Sequence, residues 1–172
     1  MNASRRGRPS FGPIAHAARN GWLFALVALA SFGGVAAALV TQHVYAMEPC
    51  PWCVLQRLVF VAIGTFAVIG LAWRGAAGSR VAATSSLLLA AAGLAAAAWQ
   101  HFVAANSASC KLTLADRIMN ATGLNALLPD VFEARVSCAD AAVSLFGVPY
   151  PSWSATLFAI IAILMIVALR RA

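Results

Sequence analysis

The sequence predicts an all-α, polytopic membrane protein: a bundle of four transmembrane helices with a long loop between the third and the fourth. Composition is the first reason, because 62% of the residues are hydrophobic and only 10% are charged, whereas soluble domains carry about 25% charged residues. The second reason is four separate apolar runs, each close to the ~20 residues that a helix needs to cross a bilayer. The net charge of +7 does not indicate nucleic-acid binding, since the basic residues lie between the apolar runs.

The four spans are predicted at about 22–40, 54–73, 81–99 and 153–169. Residues 1–20 form an N-terminal tail ahead of a single domain over 21–172. The first apolar run exceeds the ~7–15 residues of a typical cleaved signal segment, so we expect it to remain as a span. Tryptophan residues flank several runs, as interfacial anchors do; these are Trp73, Trp99 and Trp153.

Charge predicts the orientation of the bundle. Basic residues are concentrated before the first span, between the second and third, and after the fourth; they are Arg5, Arg6, Arg8, Arg19, Arg74, Arg80, Arg170 and Arg171. An excess of Lys and Arg marks the cytoplasmic side of a membrane. Both termini are therefore expected in the cytoplasm, and the loops at about 41–53 and 104–152 are expected outside it.

All four cysteines fall on this outer side. Cys50 and Cys53 lie where the short loop enters the second span, and Cys110 and Cys138 lie in the long loop. An oxidising compartment is where disulfides persist, so the positions agree with thiol chemistry outside the cytoplasm.

The first pair stands at a predicted helix start, with Pro51 suited to the first turn because its missing N–H costs nothing there. Cys53 then lies near the helix N-terminus, which favours a thiolate. This makes Cys50 and Cys53 a candidate redox-active pair. A non-catalytic alternative stays open, in which the chain is a structural or metal-binding membrane protein and Cys110 and Cys138 complete a four-sulfur zinc site.

The second pair has two interpretations. A bond between Cys110 and Cys138 would stabilise the long loop by roughly 3–4 kcal/mol if it served only as a structural disulfide. With another pair on the same face, thiol–disulfide exchange could instead carry electrons from one pair to the next. The segment 112–128 between them is amphipathic in places, and we expect it to lie on the membrane surface.

Two other side chains are candidates for the same site. Arg57 follows Cys53 by four residues, on the same helical face, and a charge within a span is usually functional. It could stabilise negative charge on an electron acceptor, or extend to lipid headgroups. His101, at the outer end of the third span, could donate a hydrogen bond or a proton, or simply bind water at the interface.

The combined pattern resembles the bacterial disulfide bond formation protein B (DsbB) family. The resemblance rests on Pro49-Cys50-x-x-Cys53-x-x-x-Arg57, on Gln42-His43-Val44 before it and on the two loop cysteines after it. It extends to Cys138-Ala139 and to Pro151-Ser152-Trp153, and it covers roughly residues 20–172.

The resemblance implies a bacterial inner-membrane enzyme that oxidises a periplasmic, thioredoxin-like dithiol oxidase (DsbA-like). It implies that Cys110 and Cys138 meet this partner, and that Cys50 and Cys53 pass the electrons to ubiquinone or menaquinone. Cys53 matches the cysteine that contacts the quinone, Arg57 the arginine of the quinone site, and His101 its histidine.

Overall fold

The computed structural model describes residues 13–73, 75–106 and 113–171, with side chains from Asn20 onward. Four long helices dominate this part of the chain, and shorter elements occupy the loop before the last of them. In chain order the elements are α1 (Pro13–Tyr45), α2 (Pro51–Ala72), α3 (Ala76–Phe102), a 3₁₀ turn (Ala104–Asn106), α4 (Leu114–Thr122), α5 (Leu124–Leu127), α6 (Pro129–Phe132), β1 (Ser144–Leu145), β2 (Val148–Pro149) and α7 (Tyr150–Arg171).

Four helical stretches are long and apolar enough to cross a membrane, which confirms the predicted four-span, all-α fold. They are Asn20–Tyr45, Pro51–Ala72, Ala76–Asn106 and Tyr150–Arg171. The first, third and fourth extend past the predicted spans at both ends, whereas the second begins three residues earlier and ends one residue earlier than predicted. Helical hydrogen bonding continues through the residues that flank the apolar runs. Helix α1 begins at Pro13, so the division between an N-terminal tail over 1–20 and the bundle stays a prediction.

The helices pack in a closed ring, in which α2 contacts α1 and α3, and α7 contacts α3 and α1. Their main core is apolar and contains two stacked rings, Phe60 and Phe158, with centroids 4.0 Å apart. Glycines allow the aromatic rings to approach the helix backbones. A Cβ on Gly93 would lie 2.4 Å from the Phe158 ring, and one on Gly70 would lie 2.9 Å from Phe24.

The described part of the long loop folds back onto the start of α2. Helix α4 begins with a capping box between Thr113 and Asp116, and it packs against α2. Its buried residues Ala115 and Met119 join a second core cluster around Cys50. Leu114, on another face of α4, is exposed. The contact of this segment with a membrane surface stays a prediction.

A tight hairpin connects this loop to α7. Strands β1 and β2 pair antiparallel, with Leu145 opposite Val148. Phe146 and Gly147 form the two-residue turn, and both have positive φ, at 54° and 77°. This turn geometry matches the natural twist of a hairpin, and it directs the chain into α7 at Tyr150.

Candidate active site

The first turn of α2 positions the first cysteine pair. Cys50 is the N-cap residue, Pro51 is the first helical residue, and the Cys53 backbone N–H donates to the Cys50 sulfur at 3.3 Å. The two Sγ atoms lie 2.7 Å apart. A disulfide measures about 2.05 Å between its sulfurs, so a two-electron oxidation with loss of both thiol protons can join Cys50 and Cys53 with little movement.

Cys138 is the third cysteine of the cluster, and it reaches the same helix start from the long loop. It is buried and belongs to the same buried cluster as Cys50 and Trp52. As thiols, these residues titrate differently. The hydrogen bond from Cys50 lowers the pKa of Cys138, whereas donation to Cys138, contact with Cys53 and burial together raise the pKa of Cys50.

A cavity of about 200 Å³ opens beside Cys53. Its walls come from α1, the short loop, α2, α3, the segment before α7, and α7 itself, and most of them are apolar. The lining residues are Gly34, Ala37, Ala38, Thr41, Met47, Glu48, Pro49, Cys53, Gln56, Arg57, Phe60, Gln100, Ala141, Val143, Leu145, Tyr150, Trp153 and Ser154. Cys53 thus lines a cavity while Cys50, its partner in the pair, contacts Cys138.

Arg57 is the cation of this cavity, and its side chain is held in place by oxygen atoms. Nη1 donates to Gln42 Oε1 at 2.7 Å and to the Val131 carbonyl at 3.0 Å. Nη2 donates to the Ala38 carbonyl at 3.3 Å. The residue is only 5% exposed, so its position excludes the alternative in which Arg57 extends outward to headgroups.

Two buried glutamines adjoin the sulfurs. Gln100 donates through Nε2 to Cys53 Sγ at 3.1 Å and to Cys50 Sγ at 3.4 Å. Its Oε1 accepts from Gln56 Nε2 at 2.6 Å. The sequence-based prediction missed both residues, although one signal was available, because uncharged polar side chains inside apolar spans also require partners.

The structure brings four of the predicted site residues together: Cys50, Cys53, Cys138 and Arg57. Cys110 lies outside the described residues. His101 does not line the cavity beside Cys53; it lines a neighbouring pocket that also contains Cys138. Successive helical residues point about 100° apart, and since Gln100 points into the cavity, His101 is turned away from it.

Comparison with known proteins agrees with this arrangement. The family model described as disulfide bond formation protein DsbB matches residues 20–168. A protein of Ralstonia nicotianae named disulfide bond formation protein B is 33% identical over 156 residues, which cover 86% of this chain and 92% of the relative. Proteins of the same name from Burkholderia pseudomallei and Herminiimonas arsenicoxydans are each 34% identical, over 87% and 84% of this chain and 89% and 90% of the relatives.

A match of this extent covers all four apolar helices and the loop between the third and the fourth. The cysteines at the start of α2 and in the long loop fall within it. The chain therefore belongs to the disulfide bond formation protein B family, and it is a multi-pass membrane protein of disulfide bond formation.

Proposed function

We propose that the protein is a membrane thiol:quinone oxidoreductase that reoxidises a periplasmic, thioredoxin-like dithiol oxidase. It resides in the bacterial inner membrane with both termini in the cytoplasm. Electrons pass through two cysteine pairs to ubiquinone or menaquinone. In each cycle the partner's two thiols lose two electrons and two protons and become a disulfide, while the quinone gains the same number and becomes a quinol.

One observation carries this proposal: the first turn of α2 directs its two sulfurs to different neighbours. Cys50 lies in one buried cluster with Cys138 of the long loop, and Cys53 lines the cavity that also contains Arg57. A relay needs one sulfur that exchanges with the loop pair and another that reaches the acceptor. This arrangement meets both requirements within a single helical turn.

The proposed exchange begins when a thiolate of the partner attacks a disulfide between Cys110 and Cys138. Closure of the partner's own disulfide leaves both loop cysteines reduced. The Cys138 thiolate then attacks Cys50, which breaks the bond between Cys50 and Cys53 and leaves the electron pair on Cys53. Attack of Cys110 on Cys138 restores the loop disulfide and releases Cys50, which takes up the proton lost by Cys110. Transfer of two electrons and two protons from Cys50 and Cys53 to the quinone then re-forms their disulfide.

The support for the first internal step is electrostatic as well as geometric. In the reduced protein the Cys50 thiol, and after it the Trp52 backbone N–H, lower the pKa of Cys138; when Cys50 and Cys53 form a disulfide, the Trp52 N–H remains to favour the thiolate, which is the attacking form. Its neighbour at the same helix start is Cys50, the sulfur that the proposed step attacks. The N-terminus of α2 adds the positive end of a helix dipole beneath both sulfurs.

The cavity has the chemistry that a quinone ring requires. Apolar walls accept the ring, and Arg57 supplies a positive charge near the oxygens on which negative charge develops during reduction. Tyr150 adds a hydroxyl to the lining, and this hydroxyl also hydrogen-bonds to Thr41 at 3.0 Å. His101 stays a predicted donor of a proton or a hydrogen bond, from the neighbouring pocket.

The test is quinol formation by the purified protein in detergent, with a reduced thioredoxin-like dithiol oxidase as donor and a short-chain ubiquinone analogue as acceptor. We expect turnover in the wild type and none in Cys53→Ser, because serine cannot form or transfer a disulfide. Thermal unfolding of Cys53→Ser, measured in parallel, separates lost chemistry from lost structure.

Two results would overturn the proposal. Turnover that is unaltered in Cys53→Ser would show that the electrons take another path. A wild-type protein that binds stoichiometric zinc, as metal analysis would reveal, and forms no quinol would favour the non-catalytic alternative.

A further inference from the structure

Gln100 is a buried polar side chain that directly contacts the reacting sulfurs. It is 3% exposed and lies near the end of α3, where its Nε2 is 3.1 Å from Cys53 Sγ and 3.4 Å from Cys50 Sγ. A buried amide needs partners at both of its ends. Here the NH₂ end faces two sulfurs, and the oxygen end faces Gln56.

Gln56 determines which end of the Gln100 amide faces the sulfurs. Its Nε2 donates to Gln100 Oε1 at 2.6 Å, and Gln56 is itself 3% exposed. Because this contact occupies the oxygen of Gln100, the NH₂ group is directed toward Cys50 and Cys53. The opposite orientation of the two amides would place an oxygen against the sulfurs and oppose negative charge on them.

Arg57 cannot replace this donor in its observed position. The hydrogen bonds of its guanidinium go to oxygens of Gln42, Val131 and Ala38. Gln100 instead reaches the sulfurs at hydrogen-bond distance. The two side chains therefore act on different parts of the site, Arg57 within the cavity and Gln100 on the cysteine pair.

We propose that Gln100 is a catalytic hydrogen-bond donor that stabilises the Cys53 thiolate when the Cys50–Cys53 disulfide opens, and that Gln56 is a positioning residue that orients it. This rests on the proposed function only in treating Cys50 and Cys53 as a redox pair. The attacking thiolate forms a bond to Cys50, the bond between Cys50 and Cys53 breaks, and its electron pair remains on Cys53. Gln100 donates to that sulfur without transferring a proton.

The contact favours the open state because a hydrogen bond to an ionised acceptor is about twice as strong as one to a neutral acceptor. A disulfide sulfur is neutral, whereas the released Cys53 is anionic. Gln100 therefore shifts the thiol–disulfide equilibrium of the pair toward the reduced state. It also stabilises the leaving thiolate as the Cys50–Cys53 bond breaks.

The test is the thiol–disulfide equilibrium of Cys50 and Cys53 in the full-length protein, measured without quinone or partner. The protein in detergent is equilibrated at pH 8 with mixtures of reduced and oxidised dithiothreitol, alkylated, and analysed at each cysteine by mass spectrometry. In Gln100→Met, which has similar length and no donor, we expect an equilibrium about tenfold more in favour of the disulfide.

Gln56→Leu tests the positioning role and does not require that Gln100→Met folds. We expect a shift of about threefold in the same direction, because the amide keeps its donor but loses its fixed orientation. In the double variant Gln56→Leu/Gln100→Met the equilibrium should equal that of Gln100→Met alone, since Gln56 acts through Gln100. Asn20→Leu is the control: this buried amide lies at the opposite end of the bundle, where it donates to the Ala168 carbonyl at 3.1 Å, and we expect the equilibrium to stay within about twofold of wild type.

An unchanged equilibrium in a folded Gln100→Met protein would overturn the donor role of Gln100. Additive shifts in the double variant would overturn the positioning role of Gln56. Because neither quinone nor partner is present, absence of quinol formation by the wild type would refute the proposed function and leave this measurement unaffected.

Discussion

The main core of the bundle and the end that contains the cysteines are held together by different interactions. In the main core, apolar side chains such as Phe24, Phe60 and Phe158 fit against glycines and against one another. At the end that contains the cysteines, the buried side chains include Arg57 and Gln100, both held by hydrogen bonds.

The difference separates stability from chemistry. In the main core, packing of apolar side chains supplies most of the stability, and a buried polar group costs free energy unless it is fully paired. The polar groups at the cysteine end are therefore expected to serve the reaction more than the fold. Substitutions at the two ends should then affect different measurements.

Outside the cysteines, the largest effect on activity is expected at Arg57. Arg57→Leu removes the positive charge of the cavity and should slow quinol formation by about 100-fold. Arg57→Lys keeps the charge but loses the planar set of donors, and it should fall between Arg57→Leu and wild type. The measurement is the initial rate with a short-chain ubiquinone analogue. A wild-type rate in Arg57→Leu would show that the charge of Arg57 does not serve the reaction.

The largest effect on stability is expected in the apolar core. In Gly93→Ala the new methyl group would lie 2.4 Å from the Phe158 ring, and such overpacking costs about 1–3 kcal/mol. Thermal unfolding in detergent should shift to lower temperature, while turnover per folded molecule stays unchanged.

Gly33→Ala is the matched control, since nothing lies within 4 Å of the added carbon. It should unfold at the wild-type temperature or slightly above, because alanine is the better helix former. Equal destabilisation by both substitutions would mean that helix packing at Phe158 is not what limits stability.

A smaller effect is expected within the cysteine cluster. Cys50→Ala removes the hydrogen bond that lowers the pKa of Cys138, so this pKa should rise toward the ordinary thiol value of about 8.5. Alkylation of Cys138 in the reduced protein should then require higher pH and should be about three- to tenfold slower near pH 7.

The pH dependence of folding stability follows from the same lowered pKa of Cys138. A lowered thiol pKa stabilises the folded, reduced protein above the unfolded-state pKa, and this stabilisation is lost as the pH falls through the folded value. Cys53→Ala keeps the Cys50 donor and should leave the alkylation of Cys138 fast near pH 7. An unchanged pH profile in Cys50→Ala would show that another group activates Cys138.

Local patterns predicted most of the fold and part of the site. Four apolar runs predicted four helices, and the four-residue spacing of Cys53 and Arg57 predicted one helical face. The contact of Cys138 with Cys50 was not predictable, because it depends on the path of the long loop through α4 and α6. The pairing of Gln56 with Gln100 depends likewise on how α2 and α3 pack, which no local spacing encodes.

Arg135 joins the long loop to the short one through weak contacts. Its backbone N–H donates to the Pro49 carbonyl at 3.0 Å, and its guanidinium forms a partly exposed ion pair with Glu48 at 3.6 Å. Exposed pairs contribute about 0–1 kcal/mol and are screened by salt. If the loop separates here, the intact chain still returns Cys138 to Cys50 at the high effective concentration of a tethered group, on the order of millimolar. Release of the loop to meet another protein would therefore remain compatible with rapid recapture.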